Sequence, residues 1–245
     1  MAPVGRDHDG RQGEQAGQRR GPAPLPRSRR LSAVDHLADR GGLRLAAAGA
    51  DRGVPVRPLF LIPGLGCLAL IWLAPLDVAL PGFALHMLRH MTLVAVAAPL
   101  IVLGLPAIAR RLAIPPLGAA LAEFVVVWAW HLPAAHALGR LQSWGFAAEQ
   151  ASFLAVGLLV WAGCLREDQP LAGAGGLLLT SMHMTLLGAL LVLAPRDIYA
   201  EICGTAPDLT GQQIGGMLML AIGTPVYLVA GLRLTAHALQ DRSPA

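Results

Sequence analysis

Residues 84–105 read ALHMLRHMTLVAVAAPLIVLGL. Past His86, Arg89, His90 and Thr92 the stretch is apolar to its end. A helix that crosses a bilayer needs roughly 20 predominantly apolar residues, and this run supplies them. It shows no period-2 alternation, and hydrocarbon demands that backbone groups be satisfied within the segment. The run therefore reads as a transmembrane helix. Working outward, five more runs of the same kind stand at Leu59–Leu80, Leu117–Ala137, Ala147–Leu165, Leu171–Ala194 and Gln213–Ala236. The expectation is an all-α membrane protein, a polytopic bundle of about six transmembrane helices over residues 58–238.

Composition agrees. Of 245 residues, 55% are hydrophobic and only 14% charged, against about 25% charged in a soluble domain. Residues 1–57 differ from the rest. They are rich in Gly, Arg, Gln, Pro and Ala, and Pro22, Pro24 and Pro26 forbid a helix there. This segment reads as a disordered, arginine-rich tail. It lacks the apolar core of a signal peptide. Residues 239–245 form a short C-terminal tail. A basic tail is also a mark of nucleic-acid binding, but ahead of a membrane domain it reads as a topology signal, and no nucleic-acid partner is expected.

The loops are short and punctuated by Pro81-Gly82, Pro106, Pro115-Pro116 and Pro170. Arginines set the orientation. With a cytoplasmic tail, the even-numbered junctions carry Arg110, Arg111 and Arg166, and the C-terminus carries Arg242. The opposite loops carry Arg140 and Arg196. Both termini are expected in the cytoplasm.

Ionisable groups within a bilayer are expensive and tend to mark function. His86 and His90 are i,i+4 and share a helix face. His131 closes the third run in Trp128-Ala129-Trp130-His131-Leu132-Pro133 at about the same depth as His86, with His136 beyond it as an interfacial, solvated residue. Asp77 and Glu149 fall in the same outer layer, and Glu149 is a candidate ion-pair partner for Arg89. The fifth run holds Met182-His183-Met184. Thioether and imidazole together suit copper, although neighbours 100° apart on a helix cannot all face one ion. The candidate metal ligands are His86, His90, His131, His183, Met182 and Met184. Interhelical hydrogen bonding is the competing role for these imidazoles. Glu123, in the inner half of the third run, reads as a proton or ion relay group or as a protonated carboxyl satisfied by a neighbouring helix.

The three cysteines Cys67, Cys164 and Cys203 are widely spaced and imply no disulfide framework. A phosphate-binding loop, a dinucleotide fingerprint, a nucleophile elbow and a covalent-haem motif are all absent from the sequence. The reading is of a protein that is not an enzyme.

The order His86-x-x-x-His90, Trp130-His131-Leu132-Pro133, Glu149, Ala194-Pro195-Arg196 with Tyr199, then Gln212-Gln213 with Gly215-Gly216 resembles the multi-helix CtaG family. These are cytochrome c oxidase assembly proteins of bacterial inner membranes. The likeness runs from about Phe83 to Leu234. It implies an accessory role in maturing haem–copper oxidase, with copper as the ion handled near the periplasmic face and oxidase subunits and the lipid bilayer as partners. The sequence departs from the family pattern at Phe146 and Gln150, where relatives often carry His around the Glu. It departs again at Arg89, where Gln is usual, and at Gly211, where Asp is common. Two other readings stay open: a membrane haem protein with two axial His, and a helical scaffold or small transporter without metal.

Overall fold

The computed structural model describes residues 55–166 and 168–240. The tail expected over 1–57 lies outside them apart from Pro55, Val56 and Arg57. Of the C-terminal tail only Leu239 and Gln240 are included. Among the described residues every regular element is helical, as the apolar runs require.

Helix α1 (Pro58–Leu73) opens on proline, whose missing N–H is not needed in a first turn. It is shorter than the run Leu59–Leu80. Ala74 precedes Pro75 and is extended (φ −76°, ψ 142°), because a residue before proline is pushed out of the helical region. A short 3-10 turn, Leu76–Val78, follows.

Helix α2 (Gly82–Gly104) contains the decisive run. Pro99 lies within it, where proline removes an amide donor and its ring crowds the carbonyl four residues back. The helix accommodates the proline with a π turn over Thr92–Ala97, in which the Ala98 N–H bonds the Leu93 carbonyl. The residue five beyond Val94 is Pro99, which has no N–H to offer. The Val94 carbonyl turns instead to side chains. It accepts Trp161 Nε1 at 2.8 Å and the Tyr227 hydroxyl at 3.0 Å.

Helices α3 (Pro106–Leu112) and α4 (Pro116–Trp130) meet at 83°. The run Leu117–Ala137 is not one helix. Leu132 precedes Pro133 and is extended (φ −66°, ψ 135°), so α4 stops at Trp130 and α5 (Pro133–Leu141) begins as a separate amphipathic helix. Then follow α6 (Ser143–Cys164), α7 (Pro170–Leu193), the short α8 (Ala200–Cys203) and α9 (Leu209–Gln240).

By length and composition α2, α6, α7 and α9 qualify as membrane-crossing helices, and the bent α3–α4 pair makes a fifth if it is one span. Helix α1 is apolar but has 16 residues, or about 24 Å against a hydrocarbon core of about 30 Å. Six apolar helices answer the six runs, and the count of six complete crossings is approximate. The protein is a multi-pass, all-helical membrane protein.

Small residues bring the helices together, as is usual where lipid removes the hydrophobic drive for helix pairing. A Cβ on Gly216 of α9 would stand 2.9 Å from the Gly188 carbonyl of α7. One turn from Gly188, the Thr185 and Thr224 hydroxyls are 2.8 Å apart, and Ser181 donates to the Thr224 carbonyl at 3.3 Å. On another face of α9, Gly215 and Gly223 admit Met87 and Met91 of α2. A Cβ on Gly223 would lie 3.2 Å from Met91 Sδ. Met87, Met91, Met184, Met219, Phe153 and Tyr227 are fully buried between the helices.

Candidate functional site

Five ionisable side chains from four helices meet near one end of the bundle. Helix α2 contributes His86 and His90, the end of α4 His131, α5 His136 and α6 Glu149. None is more than 5% exposed. The helix break at Pro133 is what brings His136 in. By sequence that residue falls past the Trp130-His131-Leu132-Pro133 helix end, where an interfacial and solvated side chain is expected. Instead α5 places it edge-on to His86, ring centroids 4.7 Å apart. The expectation of a solvated His136 is corrected by this burial.

His86 Nδ1 lies 3.4 Å from Glu149 Oε2. One ligand atom each from His86, His136 and Glu149 falls within 4.8 Å of the others. A tetrahedral site with bonds of about 2.0–2.1 Å needs its donors about 3.3 Å apart, so rotations of side chains close the gap. His131 flanks this group, its ring 5.6 Å from that of His86 and 5.3 Å from that of His90. Its Nδ1 is 2.6 Å from the Val127 carbonyl. A carbonyl only accepts, so Nδ1 carries the hydrogen and Nε2 presents a lone pair. The Tyr199 hydroxyl donates to the His131 carbonyl at 3.0 Å and fixes the chain there. His90 stacks on Phe153 at 4.1 Å.

The polar accounting at this cluster does not close within the protein. His86 Nε2, both nitrogens of His90, His131 Nε2, His136 Nδ1 and Glu149 Oε1 are buried without a hydrogen-bond partner among the described residues. Each unpaired buried group costs about 1–3 kcal/mol. Two imidazoles and one carboxylate share a centre, with unpartnered nitrogens of His131 and His90 beside them, and such ligand types suit a transition-metal ion such as Cu(II) or Zn(II).

The surroundings hold these groups in place. A Cβ on Gly139 would stand 2.8 Å from Glu149 Oε1, so a larger residue there would push that carboxylate aside. Phe83 stacks on Tyr199 at 4.7 Å, and His136 packs on Tyr199 at 4.5 Å. Outside this aromatic wall a cavity of about 270 Å³ is lined by Phe83, His136, Arg140, Asp197, Tyr199 and Cys203. His136 thus borders both the cavity and the buried group. Asp197 shapes the loop, its carboxylate accepting the amides of Tyr199, Ala200 and Asp208. Gln212 closes it, accepting the Ile198 amide and donating to the Leu191 carbonyl. Burial pushes the Cys203 thiol above its ordinary range, so it is protonated at neutral pH.

The other residues singled out from the sequence lie elsewhere. His183 is buried with both ring nitrogens unpartnered, its ring edge-on to Phe124 at 5.3 Å. Met184 is fully buried, whereas Met182 is 69% exposed on the lipid side of α7. Asp77 is exposed in the turn after α1. Glu149 pairs with His86, not with Arg89. Arg89 Nε donates to the Ile71 carbonyl at 3.2 Å, and its guanidinium lies over the Phe146 ring at 5.5 Å. Gln150 accepts Trp72 Nε1 at 3.3 Å and donates to Glu149 Oε2 at 3.4 Å. Phe146 and Gln150 thus flank Glu149 along α6 without adding imidazole donors.

Fold and cluster together define a class: a polytopic helical membrane protein with an imidazole–carboxylate centre buried among its helices. The chain belongs to the cytochrome c oxidase caa3 assembly factor family, Caa3_CtaG, whose family model matches residues 40–241. No curated protein and no solved structure matches it significantly. Membership assigns the chain to oxidase assembly and makes the oxidase its partner at that level.

Proposed function

We propose that this chain holds copper near the periplasmic face of a bacterial inner membrane and passes it to a haem–copper oxidase subunit during assembly. Copper is the cargo. His86, His136 and Glu149 hold it, with His131 and His90 as neighbouring donors. The carrying observation is the convergence of buried, unpartnered imidazole nitrogens on one carboxylate. Arginine placement supports cytoplasmic termini and hence an outward-facing cluster. Imidazole and carboxylate suit an ion that must leave again, where a thiolate cage would retain it. No bond in a substrate is made or broken, so the role is that of an accessory factor and not an enzyme.

The bis-imidazole haem alternative fits less well. A porphyrin needs a flat slot between two axial rings. Phe153, Phe83 and His136 pack against the rings of His90 and His86 instead.

The test is copper retention by the full chain purified in detergent, loaded and then dialysed. Wild type should keep about one ion per chain, as expected for one donor cluster, and His86→Ala with Glu149→Gln should keep none. Equal retention by the variant, or no retention by wild type, overturns the proposal.

A further inference from the structure

We infer that Glu123 of α4 is a separate proton-binding site in the middle of the bundle, un-ionised in the folded protein, whose proton completes a hydrogen-bond chain joining five helices. The argument is a count of hydrogens. Glu123 is fully buried, halfway along α4. Thr180 of α7 donates to Glu123 Oε2 at 3.0 Å. The Tyr227 hydroxyl of α9 lies 2.8 Å from Glu123 Oε1 and 3.0 Å from the Val94 carbonyl of α2. Trp161 of α6 donates to the same carbonyl at 2.8 Å. These are four contacts, and each needs a hydrogen.

Thr180, Trp161 and Tyr227 supply one hydrogen each. An ionised Glu123 supplies none, and a carbonyl never does. With Glu123 ionised, the single Tyr227 hydrogen would have to serve both oxygens. With Glu123 neutral, its own hydroxyl donates to the Tyr227 oxygen, and Tyr227 donates onward to Val94. Every contact then carries a hydrogen.

Among the described residues no cationic side chain pairs with Glu123, and His183, one turn beyond Thr180 on α7, makes no hydrogen bond to it. The titratable groups around Glu123 are Tyr227 on α9 and Cys164 on α6. Helices α2 and α7 present the Val94 carbonyl and the Thr180 hydroxyl. An isolated carboxylate among such groups is strongly disfavoured.

The site is distinct from the imidazole cluster but acts on the same helices. Val94 lies one turn inward of His90 on α2. Glu123 lies on the face of α4 that carries His131, about 12 Å further in at 1.5 Å per residue. Loss of the proton turns Tyr227 to the carboxylate and takes a donor from the π turn of α2. Proton release at Glu123 thereby removes a hydrogen bond from the helix that bears His86 and His90. This holds whatever the imidazole cluster binds.

The test is the infrared difference spectrum of the full chain in detergent at neutral pH, wild type minus Glu123→Gln. Glutamine keeps an N–H to donate to Tyr227 and an oxygen to accept Thr180. The expected difference is loss of the carbonyl-stretch band of an un-ionised carboxyl group, with the carboxylate bands unchanged. Loss from the carboxylate bands instead overturns the inference. Should Glu123→Gln not fold, Tyr227→Phe serves. Removing the acceptor should shift the un-ionised carboxyl band upward, and an unshifted band overturns the inference.

Discussion

Glu149 occupies space that a side chain at position 139 would need, so Gly139 is a positioning residue for the carboxylate. Gly139→Ala should weaken copper binding about 10- to 100-fold, the usual effect of disturbing a ligand's support. Competition against a chelator of known affinity measures this, and an unchanged constant would remove Glu149 from the donor set. Tyr199→Phe deletes the hydroxyl that holds the His131 carbonyl and should cost about 1 kcal/mol of stability, read from thermal unfolding in detergent. The sequence revealed part of this site. The i,i+4 spacing of His86 and His90 was visible as a shared face, and His131 could be set at their depth. His136 and Glu149 could be set in the same layer, but not turned toward His86. That required knowing that Pro133 ends α4 and that α5 packs its inner face on α6. Met182 looked equivalent to Met184 in sequence. Their separation of about 200° around the helix sends one to lipid and the other to the core.

Among the elements, the π turn of α2 has the most consequence. It follows from Pro99 and leaves the Val94 carbonyl to Trp161 and Tyr227. Trp161→Phe removes one of these donors and should destabilise the fold by about 1 kcal/mol, with α2 the first helix to lose hydrogen-exchange protection. Exchange that rises equally in every helix would contradict a local role. The α7–α9 contact rests on bare backbone at Gly188 and Gly216. Gly216→Leu inserts a side chain where 2.9 Å is available to the first carbon and should cost at least about 1–3 kcal/mol. The apolar runs were legible because lipid imposes length and composition on a span. Their ends were not. Pro75 and Pro133 each push the preceding residue out of the helical region, and apolar residues beyond such a break look like more of the same span.

At the scale of the whole molecule, arginine placement and the outer-layer histidines must agree on one orientation. Cys203, in the loop between α7 and α9, should react with a membrane-impermeant maleimide added outside intact cells, whereas Arg110→Cys should react only after lysis. Because burial raises the Cys203 thiol above its ordinary range, the neutral form dominates at pH 7. Labelling should be slow there and quicken as pH rises through the higher range. The reverse sidedness would put the imidazole cluster on the cytoplasmic side. The claim on which the rest depends is that buried imidazoles and a carboxylate hold copper between these helices. X-ray absorption at the copper edge of the loaded, full-length protein tests it most directly. The expected spectrum shows nitrogen and oxygen neighbours with imidazole outer-shell scattering, lost in His86→Ala. A sulfur neighbour, or a spectrum unchanged by that substitution, would contradict it.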